Sequence, residues 1–218
     1  MEKRLIKSKE KSSKKEKLKD SKKEFTIDLK QKAIESYNIT ASKKDMKNSL
    51  SSEEIYAIDK DFIQKMSKEA KKMQYEYSVN STLFNEYFRG FSEETLIDMK
   101  KIGLSIKDIE KMINDLKKSM VVTKKEYIVY RGIIGVFDVD RFNKSGGFIS
   151  TSFDKAISKG YTRGKGEVVP IKVPRGTHVI YIRNNSIYPN HMELLIPDNY
   201  YLKKIVTNSR SEYIATKS

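Results

Sequence analysis

The chain contains no cysteine, so disulfides and thiolate-held metals are excluded. Histidine is nearly as scarce: His178 and His191 are the only two, too few for a histidine metal cluster, and no metal is expected. No apolar run approaches the ~20 residues that span a bilayer. The start, Met1-Glu2-Lys3-Arg4-Leu5-Ile6-Lys7, carries charge but no apolar core of the length a secretory signal needs. Export by the general route would therefore make this the mature form, and the localisation stays open between delivery into a target cell and the cytoplasm. No internal repeat occurs, and no strand-like run leads into Gly-x-Gly-x-x-Gly, so a dinucleotide would not bind here in the Rossmann manner.

What is present suits a soluble globular protein of 218 residues, 38% hydrophobic and 33% charged, enough for one domain and an extension. Lys and Arg number 44 against 29 Asp and Glu. Met1 to Glu24 holds 11 basic and 5 acidic residues, so the bias persists beyond it. Such a surface favours acidic partners, although a lysine-rich composition also simply confers solubility. Residues 1–24 have only Leu5, Ile6 and Leu18 to bury and read as a disordered basic arm, a tether or a contact to nucleic acid or anionic membrane. Residues 25–218 read as a single domain, helical over 25–120 and β-rich over 121–218, and monomeric.

Phe25 to Tyr37 has the apolar content of a short helix. Ser51 and Glu54 have capping-box spacing, and Ile55, Ile58, Phe62, Met66, Ala70 and Met73 continue as one apolar stripe, predicting one long helix. Further helices are expected at Leu83–Arg89, closed by Gly90, and after Ser92 and Ser105, with Gly103 between them. From Val121 the pattern changes to short β-branched and aromatic runs: Tyr127–Tyr130, Gly147–Ser152, Val168–Val173, His178–Ile182, Met192–Ile196, Tyr201–Val206 and Glu212–Ala215. Helices first and strands later indicate an α+β domain.

Three of these runs carry polar groups where burial would favour aliphatic side chains. One ends in Tyr130-Arg131-Gly132, one in Ser150-Thr151-Ser152, and the third is entered through Tyr188-Pro189-Asn190-His191-Met192-Glu193. With Phe84-Asn85-Glu86-Tyr87-Phe88-Arg89-Gly90 and Val173-Pro174-Arg175-Gly176-Thr177, these pieces resemble, in order over about Tyr77 to Val206, the ADP-ribosyltransferase toxins of the arginine–serine–glutamate class. That family includes actin-modifying binary toxins and Rho-modifying exoenzymes. The resemblance implies N-terminal helices packed on two mainly antiparallel β-sheets. It also implies NAD as co-substrate, and transfer of ADP-ribose to an unidentified protein acceptor by a toxin, effector or phage-encoded modifier.

Breaking the nicotinamide–ribose bond develops positive charge on the sugar and releases a neutral base, so the chemistry needs a carboxylate beside the ribose and a cation on the pyrophosphate. Glu193 fits the first role and Arg131 the second, because guanidinium binds phosphate oxygens bidentately. The resemblance further implies that Ser150 orients Glu193, that Thr151 and Ser152 brace the nicotinamide pocket, and that Asn85 and Gly132 contact NAD. Phe153 to Gly166 is rich in glycine and cations and reads as mobile; the resemblance makes it a phosphate–nicotinamide loop carrying Tyr161 and Arg163, and makes Tyr188 an exposed aromatic that touches the acceptor. Residue 191 departs from the family, which carries Glu or Gln two residues before the catalytic Glu. His191 would serve as base or hydrogen-bond partner for a different nucleophile, or leave only NAD hydrolysis, or mark a non-catalytic basic binding module.

Overall fold

The computed structural model describes residues 50–206 and 211–218. The basic arm and the helix expected over Phe25–Tyr37 lie outside the described residues. Five helices lead: α1 (Ser52–Phe62), α2 (Lys68–Val79), α3 (Ser81–Arg89), α4 (Glu93–Lys101) and α5 (Ile106–Lys117). Each starts at a small polar residue, Ser51, Ser67, Asn80, Ser92 or Ser105, whose side chain accepts a hydrogen bond from an N–H of the first turn. The box of Ser51 and Glu54 closes in both directions.

The long helix expected from Ile55 to Met73 is in fact two. Ile63 turns extended at φ −71°, ψ 123°, and Ser67 caps a fresh start. The stripe keeps its period across the break but serves two different cores: Phe62 packs in one and Met73 in the other.

The strands are β1 (Val121–Val122), β2 (Tyr127–Ile134), β3 (Ile149–Ser152), β4 (Gly166–Val173), β5 (His178–Ile182), β6 (Glu193–Ile196), β7 (Tyr200–Val206) and β8 (Ser211–Lys217). Two short helices interrupt them, α6 (Val139–Ser145) and α7 (Lys155–Tyr161). The second occupies the segment expected to be a mobile loop, because the Asp154 carboxylate caps its first turn at Ala156 and Ile157.

The α+β class holds, with strand order β1-β5-β6-β3-β2-β4-β8-β7. Every pairing is antiparallel except β4 with β8. The two expected sheets are two four-stranded halves joined at one register pair, Tyr130 with Ser152. Arg131 and the serines of β3 sit at that seam. Side chains on β5 and β6 alternate between cores: Val179, Tyr181, Leu194 and Ile196 pack with β2, β4 and Phe62, whereas Ile180, Ile182 and Leu195 pack under α2, α3 and α5. A strand buried on both faces reads as an unbroken apolar run, which is why the carboxylate at its start stands out.

Candidate active site

Glu193 opens β6 directly opposite Ser152, which puts Ser150 on the same face one diagonal away. The Ser150 hydroxyl donates to Glu193 Oε1 across that diagonal. Burial pushes the Glu193 carboxyl up to about 7, against the pull of the Ser150 hydroxyl and the Arg131 charge. The site thus holds a carboxylate that changes charge near neutral pH.

Arg131 comes from β2. Its Nη1 donates to the Ser150 carbonyl at 2.5 Å, and its guanidinium lies 5.0 Å from the centre of the Phe142 ring. The Nε is buried with no hydrogen-bond partner. Burial lowers the Arg131 pKa, as does the neighbouring Arg89, while Glu193 opposes the shift. A buried unpaired donor on the Arg131 guanidinium, with the Arg89 guanidinium lining the same cleft, suits an anion with several oxygens.

These groups line a cleft of about 460 Å³ together with Tyr77, Asn85, Arg89, Tyr130, Gly132, Tyr161 and His191. Asn85 stands in the wall, but its amide also ties α3 to the sheet: Oδ1 accepts from Phe148 N at 2.9 Å and Nδ2 donates to the Ser81 carbonyl at 2.9 Å. The hydroxyls of Thr151 and Ser152 turn to the backbone, donating to the carbonyls of Leu194 at 2.6 Å and His191 at 2.5 Å. They brace the turn that carries Glu193. Between these anchors Met192 is buried in the left-handed region at φ 45°, ψ 51°, a conformation that costs a non-glycine residue on the order of 1 kcal/mol. The bonds on either side hold it there.

Gly132 is the closest approach in the site. A Cβ there would lie 2.0 Å from the Ser158 carbonyl oxygen and 2.9 Å from Tyr161 Cβ, so α7 packs directly on bare strand. Gly132→Ala is expected to push α7 outward, with a loss of roughly 1–3 kcal/mol and, for NAD as the substrate the resemblance implies, a higher KM as the Tyr161 wall retreats. Thermal denaturation beside steady-state kinetics on the same preparation checks it; a variant unchanged in both would show that α7 yields freely.

Tyr161 reaches across the cleft, its hydroxyl 3.1 Å from His191 Nδ1. Arg163 is not among the cleft-lining residues; it follows α7 at φ 51°, two residues past Tyr161. The expected exposed aromatic is also corrected. Tyr188 is only partly exposed and stacks on His191, ring centres 4.7 Å apart and planes within 14°. The exposed residues of that turn are Pro189 and Asn190. His191 itself is buried, and desolvation pushes its pKa down to about 4, leaving a neutral ring at physiological pH.

Arg89 is the functional candidate that sequence reading missed. It stands four residues after Asn85 on α3, one helical turn along the same face, and donates to the Gly146 carbonyl at 3.1 Å while lining the cleft. That spacing was the available signal. Among the described residues no group of three or more His, Asp or Glu could hold a metal, and no helix is long and apolar enough to cross a membrane.

Residues 41–215 match the family model described as ADP-ribosyltransferase exoenzyme. Among solved structures, the Clostridium limosum C3 exoenzyme matches with TM-score 0.51 at 19% identity, covering 76% of this chain and 93% of that one. An ADP-ribosyltransferase from Clostridium botulinum matches with TM-score 0.50 at 20% identity, covering 78% and 97%. Both likenesses concern the fold. No curated protein matches the chain.

Proposed function

Because this chain belongs to the ADP-ribosyltransferase exoenzyme family, whose reaction uses NAD as co-substrate, we propose that the cleft cleaves NAD and transfers ADP-ribose to a protein acceptor. The observation that carries the reading is the triad at the seam. Glu193 is hydrogen-bonded by Ser150, and Ser150 is in turn held through its carbonyl by Arg131.

In this reading Arg131 and Arg89 hold the pyrophosphate, and the unpaired Arg131 Nε supplies one of the donors. The Glu193 carboxylate accepts the ribose 2′-hydroxyl and faces the charge that develops at C1′ as nicotinamide leaves with the bonding electrons. Ser150 fixes the rotamer of Glu193. Asn85 and Gly132 shape the walls, and Tyr161 covers the nicotinamide end. The Tyr188–His191 turn presents the acceptor.

Catalysis then requires the ionised carboxylate. kcat/KM for NAD is expected to rise with pH on a single limb with apparent pKa about 7, the Glu193 value, while His191, at about 4, adds no second limb above pH 5. Nicotinamide release from pH 5 to 9 measures this; a flat profile would count against Glu193 as the ionising group. Function itself is tested by release from NAD with and without cell lysate. Labelled ADP-ribose on a lysate protein supports transfer, release without labelling supports an NAD glycohydrolase, and no release overturns the enzyme reading.

A further inference from the structure

We propose that the cavity between the α1–α2 break and the end of β5 is a second ligand site, and that it takes a short-chain aliphatic carboxylate. The break itself makes the space. α1 stops at Phe62, Ile63 turns extended, and these two residues with Met66 form an apolar wall. The opposite wall comes from Tyr181 and the residues that follow β5. The cavity measures about 130 Å³ and shares no lining residue with the cleft that holds Glu193.

Charge sets the first requirement on the ligand. Arg183 follows β5 directly, two residues after Tyr181, and the two side chains share one carboxylate. Asp59 Oδ1 accepts from the Tyr181 hydroxyl at 2.8 Å, and its Oδ2 pairs with Arg183 Nε at 3.3 Å. The other edge of the guanidinium is unmet: Nη1 is buried with no hydrogen-bond partner among the described residues. Lys71 of α2 brings a second cation to the lining, and none of the lining residues is acidic. Asp59 therefore offsets one positive charge and leaves one for a ligand. A carboxylate matches the planar guanidinium fork and supplies the acceptor that the protein omits.

The amides around the cavity are engaged in its frame. Gln64 Nε2 donates to the Met120 carbonyl at 3.3 Å, while Gln74 Nε2 donates to the Tyr181 carbonyl at 3.2 Å and to the Met66 sulfur at 3.3 Å. Gln74 Oε1 accepts from Asn185 at 2.9 Å. These bonds fix the walls before a ligand arrives.

Size and polarity set the second requirement. The wall of Phe62, Ile63 and Met66 gives a phosphate nothing to bond, whereas an alkyl chain is matched there. A cavity of about 150 Å³ accommodates benzene, so one of about 130 Å³ takes roughly six non-hydrogen atoms. Butyrate has that many. Its carboxylate would meet Arg183 and its propyl chain Met66, and a longer chain would have to leave through the mouth, where Ile63, Lys71 and Asn184 are exposed.

The test uses the full chain with ¹³C-methyl methionine, so that the Met66 methyl, assigned with Met66→Leu, reports on this cavity alone. Butyrate, butyramide and inorganic phosphate are titrated separately at neutral pH and constant ionic strength. Butyrate is expected to shift the Met66 methyl with a Kd of about 1 mM, within reach of so small a ligand. Butyramide and phosphate are each expected to bind at least ten-fold more weakly. Arg183→Gln weakens butyrate at least ten-fold and leaves butyramide unchanged, a contrast that loss of folding would not produce. Lys71→Gln, at an exposed position that the fold does not need, weakens butyrate about three-fold or more. Absence of any Met66 shift up to about 50 mM butyrate overturns the proposal. Equal binding of butyramide overturns it, because charge is then not read, and equal binding of phosphate overturns it as an adventitious ion only. Undiminished butyrate binding in both Arg183→Gln and Lys71→Gln overturns it as well.

Discussion

Glu193→Gln is expected to lower kcat for nicotinamide release by about 10²–10³-fold while the KM for NAD stays within a few-fold. The amide keeps the shape of the carboxyl and still accepts from Ser150 and from a ribose hydroxyl. It loses only the negative charge, which matters when C1′ becomes cationic and not before. The same variant is expected to be more stable than the wild type at pH 8. Burial raises the Glu193 pKa from 4.5 to about 7, so ionising it in the folded state costs up to about 3 kcal/mol that the amide avoids. A loss of activity with a gain in melting temperature would separate a catalytic role from a structural one. Were the variant to cleave NAD within ten-fold of the wild type, the assignment of Glu193 would be wrong.

Arg131→Lys carries the second large effect, and it falls on binding. The ammonium keeps the charge but forfeits the planar fork, including the Nε that no protein atom satisfies. Losing one or two charge-assisted bonds at about 1.5–3 kcal/mol each predicts a KM for NAD raised roughly ten- to a hundred-fold or more, with kcat falling less. Some stability goes too, since Nη1 holds the Ser150 carbonyl and the guanidinium covers Phe142. Isothermal titration with NAD, beside Arg89→Lys, shows how the two cations share the load. Unchanged affinity in Arg131→Lys would place the pyrophosphate elsewhere.

The sequence made local features readable and left distant ones hidden. Ser92, Ser105 and Gly103 act on the chain next to them, and their helices lie where they indicate. Ser150 and Glu193 were legible in order, and antiparallel pairing of β3 with β6 supplies the diagonal that joins them. The break between α1 and α2 was not legible, because the apolar period runs through it and only the tertiary split between two cores stops the helix. Segment 153–166 looked mobile from its glycines and cations, yet the Asp154 cap and the bare strand at Gly132 order its first half as α7. The Tyr161 contact to His191 spans 30 residues and depends on that helix, so no local pattern announces it. Tyr188 was expected at the surface because the family resemblance places an exposed aromatic there, but the histidine three residues on supplies a face to stack on.

The burial of His191 and Glu193, two residues apart, also governs how many protons the chain exchanges when it folds. Glu193, raised from 4.5 to about 7, takes up a proton on folding between those values, and its stabilising contribution is complete below 4.5 and lost as pH rises through 7. His191, lowered from 6.5 to about 4, releases one, and its contribution is complete above 6.5 and lost as pH falls toward 4. Across roughly pH 4.5–6.5 the uptake and the release cancel, and the turn that carries both residues adds almost no pH dependence to stability. Replacing either residue alone uncovers the other: a Glu193 variant loses stability toward acid, and a His191 variant loses it toward alkali. These two buried groups thus balance the protons of folding through a mildly acidic range in which either alone would tilt the stability.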